Sequence, residues 1–124
     1  MKNLIAIGFF IAAVINLAPG VGLLSNEWLY SLYGVEGLNG DLSLLLRHRA
    51  VLFVIVGGLL LTGVFVERVR LITGLAGLAS MCSFIVLYVT VPETGAELKR
   101  VMYVDIAGAV PLAVALIIHI VKTR

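Results

Sequence analysis

The side chains best suited to chemistry are concentrated at a few positions of an otherwise apolar chain. Arg47, His48 and Arg49 follow a run of three leucines. An arginine presents a planar fork of donors to an anionic or carbonyl group, and a histidine exchanges a proton near neutral pH. Asp105 and Asn16 each interrupt another apolar segment. These five residues form the candidate ligand-binding site, and none of them is assigned a catalytic role.

The composition around these residues is that of an integral membrane protein. Of the 124 residues, 61% are hydrophobic and only 13% are charged, and the mean hydropathy is +1.14. A soluble domain of this length needs more polar residues to cover its surface. The net charge of +2 is modest. The basic residues flank apolar segments, which is typical of membrane helices and gives no indication of nucleic-acid binding.

Four apolar segments are each long enough to cross a membrane, which takes about 20 residues in a helix. Short polar connectors join them, so the helices are expected to run up, down, up and down. The predicted helices cover residues 4–24, 42–66, 71–91 and 101–121 of a single transmembrane domain, 1–124. The predicted fold class is therefore all-α, an integral membrane four-helix bundle.

The first connector has the pattern of a short helix. Ser25 suits a helix N-cap, and Gly34 is a typical stop. Between them, aromatic and aliphatic residues recur at helical spacing, and aromatic side chains favour the headgroup depth of a membrane. We predict an interfacial helix over residues 25–33 that covers one end of the bundle.

Asp105 and Arg47 are expected about one helical turn inside the same membrane face. A carboxylate and a guanidinium are costly in lipid unless they pair. We therefore expect Asp105 to pair with one arginine of the cluster, Arg47 first. Arg47 and Arg49 are about 200° apart on a helix, so both cannot face the same pocket. The alternative is that the arginines extend to lipid phosphates as anchors.

Metal and redox chemistry find little support. Cys82 is the single cysteine, so neither a disulfide nor a CxxC pair is expected within the chain. His48 and His119 are predicted near opposite membrane faces, too far apart to share a metal ion. The sequence also contains no P-loop, GxGxxG, HExxH or GxSxG motif. We predict no metal site and no cofactor.

The distribution of lysine and arginine sets the expected orientation, because cytoplasmic loops of membrane proteins carry an excess of both. The side with both termini carries five of these residues and the other side carries four. Two of those four are Arg47 and Arg49. If these two lie within the bundle, the other side has only two basic residues in its connectors. We therefore expect a multi-pass protein of the inner (cytoplasmic) membrane with both termini in the cytoplasm. The candidate site then lies near the non-cytoplasmic face.

The sequence LLLRHRAVLF at residues 44–53 resembles a motif of small, uncharacterised bacterial four-helix membrane proteins, which are similar in size to the DoxX-like proteins. The likeness extends loosely over the whole chain, and its specific element is the Arg-His-Arg-Ala run. Some members of that group bear the name phosphopantetheine adenylyltransferase. Soluble enzymes of that name hold ATP phosphates with an HxGH-type motif, which is absent here. The resemblance therefore implies the fold and the Arg-His-Arg site, but no adenylyltransferase activity.

Three function hypotheses follow from these features. In the first, which the sequence favours, the protein binds a lipid, quinone or small amphiphile, or is an accessory subunit of a membrane complex. In the second, it is a membrane-embedded enzyme with Asp105 and His48 as an acid–base pair and a lipid-soluble substrate. In the third, it is a transporter or channel subunit. The expected partners are membrane lipids, the small ligand, and a second copy or a larger membrane complex.

Overall fold

Long apolar helices dominate the computed structural model, which describes residues 2–34, 40–91 and 95–123. Four helical stretches are long and apolar enough to cross a membrane. The first of these continues from α1 into a 3-10 segment at Ala18–Leu23, where Pro19 removes a backbone donor. The helices are α1 (Lys2–Leu17), α2 (Asn26–Tyr33), α3 (Gly40–Phe65), α4 (Arg70–Thr90) and α5 (Ala96–Thr123).

The four long helices form a closed square. Helix α1 packs against α3 and α5, and α4 packs against the same two neighbours. Because the number of spans is even, the two chain termini lie at one end of the bundle, which we call the terminal end. Helix α2 lies at the opposite end, the α2 end, where it packs on the 3-10 segment and on α5. The predicted all-α four-helix bundle is confirmed.

The predicted helix boundaries differ from the observed ones mainly at α5. That helix begins at Ala96 rather than at residue 101, and its first turn contains Glu97. A carboxylate favours a helix N-terminus because it faces the positive end of the helix dipole. Hydropathy alone does not detect this polar turn, although it belongs to the helix.

The short helix predicted in the first connector is confirmed as α2. The Ser25 hydroxyl accepts a hydrogen bond from the backbone N–H of Trp28 at 3.3 Å, and Gly34 ends the helix with φ 67°. Leu29 and Tyr33, four residues apart, are buried, whereas Trp28 is half exposed. Helix α2 therefore packs one apolar edge onto the bundle and leaves its other edge outside.

The apolar core lies in the middle of the bundle and toward the terminal end. Helices α1 and α5 approach closely at Gly8, where an added Cβ would lie 2.7 Å from both the Pro111 carbonyl oxygen and the Ala115 Cβ. Small residues allow such backbone contact between membrane helices. The buried apolar side chains around this contact include Ile5, Phe9, Leu60, Met81 and Leu112.

Arg70 stabilises the turn between α3 and α4. Its side chain is only 7% exposed, and its Nε and Nη2 donate to the carbonyls of Gly63 and Val64 at 2.8 and 3.1 Å. The last carbonyls of a helix have no partner within the helix, so the guanidinium satisfies two of them at the end of α3. In the sequence, Arg70 is one of the basic residues that flank the apolar segments, and nothing there indicates that it caps α3.

We predict that Arg70→Ala destabilises the bundle by about 2 kcal/mol, because it removes charged hydrogen bonds to two helix-end carbonyls. The measurement is thermal unfolding of the purified protein in one detergent. Arg68→Ala is the matched control, since Arg68 has the same charge, lies two residues away and is exposed. Equal losses from both substitutions would show that the basic charge of the turn matters, rather than the cap.

Candidate ligand-binding site

Arg49 extends from α3 into a group of aromatic rings. Its guanidinium carbon lies 4.7 Å from the ring centre of Phe53, 4.9 Å from that of Phe84 and 5.5 Å from that of Tyr33. These rings belong to α3, α4 and α2, respectively. The electron-rich face of each ring attracts the cation. The aromatic group therefore holds a charged side chain between three helices at the α2 end.

Asp105 on α5 places a buried carboxylate at the α2 end, the same end as Arg49. It is 4% exposed, and the charge of Arg49 acts on it. Its Oδ2 atom has no hydrogen-bond partner, nor does the Nη2 atom of Arg49. Both side chains therefore retain an unsatisfied hydrogen-bonding atom inside the protein.

Arg47 takes a different direction. Its Nε donates to the Ser43 hydroxyl at 3.1 Å, and one terminal nitrogen donates to the Leu23 carbonyl at 3.3 Å. The latter bond joins α3 to the end of the first span. The expectation that Arg47 is the first partner of Asp105 is therefore wrong, and the arginine acting on Asp105 is Arg49. The angle of about 200° between the two positions explains why they separate.

His48 lies on the exposed surface of α3. One residue in either direction rotates a helical position by about 100°, which turns His48 away from the rings around Arg49. Asn16 on α1, by contrast, is 1% exposed. Its amide nitrogen donates to the Ala12 carbonyl at 2.8 Å, and its side-chain oxygen has no partner.

Among the described residues, four buried side-chain atoms have no hydrogen-bond partner. Buried polar atoms in folded proteins are nearly always satisfied, by protein groups, water or a ligand. These four come from α1, α2, α3 and α5, and all lie in the half of the bundle toward α2. They are Asn16 Oδ1, Tyr33 OH, Arg49 Nη2 and Asp105 Oδ2.

An apolar cavity of about 280 Å³ lies beside two of the residues that carry these atoms, although the atoms themselves are buried. Tyr33 and Asp105 line it, together with Arg100 at the edge of α2. Val14 on α1 and Val104 on α5 also line it and are 48% and 42% exposed, so the cavity reaches the lipid-facing surface between these helices. The remaining lining residues are Ile15, Ala18, Pro19, Leu32, Phe53 and Val101.

Helix α2 covers this cavity and is held there by Arg100. The terminal nitrogen of Arg100 donates to the backbone carbonyls of Ser31 at 2.9 Å and Leu32 at 3.4 Å. These carbonyls belong to the last turn of α2, where a cation also faces the negative end of the helix dipole. The position of Tyr33 in the site therefore depends on α5.

Sequence analysis missed the aromatic group around Arg49. Part of the signal was available, because Arg49 and Phe53 are four residues apart and therefore share one face of a helix. Tyr33 had been predicted only as an interfacial residue, and nothing in the sequence of α4 distinguishes Phe84 from its apolar neighbours. The three rings become one group only when α2, α3 and α4 are packed together.

Comparison with known proteins identified no relative of this chain. No protein-family model, no curated protein and no solved structure matches the chain. The function of the site has therefore to be argued from its geometry.

We predict that Arg49 and Asp105 are energetically coupled. Arg49→Met and Asp105→Asn should each destabilise the protein, and the double variant should lose less than the sum, because each single change leaves one charge without its counter-charge. A coupling energy of about 1 kcal/mol is expected from thermal unfolding in detergent.

The matched control for this cycle replaces Arg47 in place of Arg49. Arg47→Met removes the same charge two residues earlier and breaks a contact that does not involve Asp105. Its effect should add to that of Asp105→Asn. Coupling to Arg47 instead of Arg49 would contradict the arrangement described above.

Proposed function

We propose that this protein binds a small amphiphilic molecule, of the class of a lipid or quinone, in the cavity beneath α2. The observation that carries the proposal is an apolar cavity that reaches the surface between α1 and α5 and has Tyr33, Arg100 and Asp105 among its lining residues. An apolar body in the cavity, joined to a polar head beside these three residues, complements this lining. Binding sites for small molecules have this composition, mostly apolar with a few placed polar groups.

The size of the cavity limits the ligand. A cavity of about 150 Å³ is large enough for benzene, and this cavity measures about 280 Å³. It therefore accommodates one ring with a short chain, or a short stretch of an acyl chain. A longer tail can extend past Val14 and Val104 into the surrounding lipid, because both side chains are partly exposed.

The position of His48 bears on the enzymatic alternative. An acid–base pair has to reach the same substrate atoms, whereas His48 is exposed and Asp105 is buried. No observation specifically favours a transporter, a channel or an accessory subunit. We keep ligand binding as the proposed function, and the resemblance to small bacterial four-helix membrane proteins is compatible with it.

We predict that Ala18→Phe prevents ligand binding, because Ala18 lines the cavity and the added ring would occupy much of its volume. Native mass spectrometry of protein released from native membranes should show a small bound molecule on the wild-type chain and lose it in the variant.

Ala79→Phe is the matched control. It adds the same ring at an exposed alanine of α4 that does not line this cavity, and it should retain the bound molecule. Retention by Ala18→Phe as well would contradict binding at this cavity.

We further propose that the terminal end lies in the cytoplasm of a cell with an inner membrane, which places the ligand site at the non-cytoplasmic face. Lys2, Arg68 and Lys122 are exposed at the terminal end, whereas at the α2 end Lys99 is exposed and Arg47, Arg49 and Arg100 contact other groups of the protein. This distribution supports the orientation, because free basic residues favour the cytoplasmic side.

Cysteine accessibility tests the orientation. In a Cys82→Ala background, Gly95→Cys should react with an impermeant thiol reagent added outside intact cells or spheroplasts, and Thr123→Cys should react only after lysis. Gly95 lies just before α5 and Thr123 is its last residue, and both positions are exposed. The reverse pattern would invert the proposed topology.

A further inference from the structure

Arg100 lies at the mouth of the cavity with part of its donor capacity unused. It lines the cavity and is exposed. Its hydrogen bonds to the carbonyls of Ser31 and Leu32 both come from Nη2, so Nε and Nη1 have no partner within the described part of the chain. Because these carbonyls are uncharged, they leave the positive charge of the guanidinium unbalanced. An accessible guanidinium with spare donors is suited to an oxyanion such as a phosphate or a carboxylate.

Two carboxylates lie near Arg100 on α5, and neither takes up its donors. Asp105 also lines the cavity, but its unsatisfied oxygen is buried. Glu97, one turn before Arg100, lies against Gly34 at the end of α2 and does not line the cavity. Arg100 is therefore the accessible charge at the mouth of the cavity.

A second apolar cavity lies along the same two helices, closer to the terminal end. Its volume is about 250 Å³, and the described residues that line it are apolar, among them Gly8 of α1 and Val114 of α5. On α5, Asp105 of the first cavity and Val110 of the second are separated by about 7.5 Å of helix. The two cavities therefore follow one another along the α1–α5 pair.

Both cavities belong to one lipid-facing groove between α1 and α5. On α1, exposed side chains recur every three or four residues and so share a face of the helix; they are Leu4, Ile7, Ile11, Val14 and Ala18. On α5, Val104, Ala107 and Val114 are exposed at compatible spacing. Ala107 lies between the two cavities, and its single methyl group fills little of the groove.

The length of the groove sets the length of the chain that fits it. From Arg100 to Val114, α5 rises by about 21 Å. An extended carbon chain advances about 1.2 Å per bond, as an extended polypeptide does, so a chain of about sixteen carbons covers about 19 Å. With its head at Arg100, such a chain passes through the first cavity and enters the second.

We infer that the ligand is a long-chain amphiphile with an oxyanion head group, which binds Arg100 while its chain lies in the α1–α5 groove. This inference rests on the proposed function and narrows its ligand class to anionic lipids. A quinone head has no charge to balance that of Arg100. A cationic head would meet like charges at Arg100 and at the neighbouring Lys99, which is exposed.

Three probes with the same sixteen-carbon chain test the head group, on the full-length protein in micelles of a neutral maltoside detergent. They are hexadecyl phosphate, which is anionic, hexadecanol, which is neutral, and hexadecyltrimethylammonium, which is cationic. The unfolding temperature is measured against the mole fraction of probe in the micelle, which gives an apparent dissociation constant. We expect the phosphate to bind at least about tenfold more tightly than the other two, as expected for hydrogen bonds between charged groups. Inorganic phosphate at the same concentration should not stabilise the protein, because it has no chain to occupy the groove.

Variants of two neighbouring basic residues locate the head group. Arg100→Gln removes the charge, although its amide can still donate to the carbonyls of α2, and should weaken binding of hexadecyl phosphate at least about tenfold. Arg100→Lys keeps a charge there and should bind this probe more tightly than Arg100→Gln does. Lys99→Gln removes an exposed charge that lines neither cavity and should leave binding unchanged. Equal losses in Arg100→Lys and Arg100→Gln would show that binding depends on the position of α2 rather than on the charge, and would overturn the oxyanion assignment.

A photoreactive probe locates the chain. Hexadecyl phosphate with a diazirine near the end of its chain should label α1 and α5 at the second cavity, which mass spectrometry of proteolytic peptides detects. Ala107→Phe places a ring between the two cavities and should abolish this labelling. Ala79→Phe places the same ring at an exposed position of α4 and should retain it. Even labelling of all four long helices would contradict the groove.

The outcomes separate this inference from the proposed function. Equal binding of the phosphate and the alcohol, equal stabilisation by inorganic phosphate, or equal effects of Arg100→Gln and Lys99→Gln would overturn the oxyanion assignment. The cavity would remain a binding site in these cases if wild-type protein from native membranes carries a small molecule that Ala18→Phe loses. If no probe stabilises the protein, the oxyanion assignment also fails. If, in addition, the wild-type protein carries no small molecule, the proposed function fails with it.

Discussion

A charge inside a membrane bundle has to be balanced by the protein itself, because lipid offers neither water nor counter-ions. Arg49 of α3 and Asp105 of α5 are opposite charges inside the bundle at the α2 end. The rings of Tyr33, Phe53 and Phe84 add a second attraction for the guanidinium. Removing any one of these helices from the others would expose a charge to lipid. The rotation of α3 that directs Arg49 toward these rings also places its charge on the side of Asp105.

The position of α2 follows from the same requirement. Tyr33 has to reach Arg49, and Arg100 holds the last turn of α2 through two backbone carbonyls. Arg100 is one turn or more before Asp105 on α5, so a single helix supplies both the anchor of α2 and the counter-charge of Arg49. The cavity lies between these two contacts. The polar residues that line the cavity and the helix α2 that covers it are consequently both positioned by α5.

The sequence was sufficient for the features that depend on local pattern. Hydropathy and length predicted four spans, and Ser25 with Gly34 predicted α2. The expected depth of Asp105 also indicated an arginine of the Arg47–Arg49 cluster. The sequence was insufficient to choose between these two arginines, because the apolar residues of α3 are spread around the whole helix and give no pattern that fixes its rotation. Phe84 depends on long-range packing in the same way. Such three-element contacts have no counterpart in the spacing of a single segment.

Helices α1 and α5 are in contact at Gly8, and the cavity lies between them farther along. A change in their crossing angle about this contact therefore changes their separation at the cavity. Ten residues separate Gly8 from Ala18, a distance of about 15 Å along a helix. With the backbones in contact at Gly8, a change of about 5° in their crossing angle moves the helices apart by about 1 Å at the cavity. Membrane helices tilt in response to bilayer thickness. A change in the tilt of α1 relative to α5 would therefore alter the width of the lateral opening.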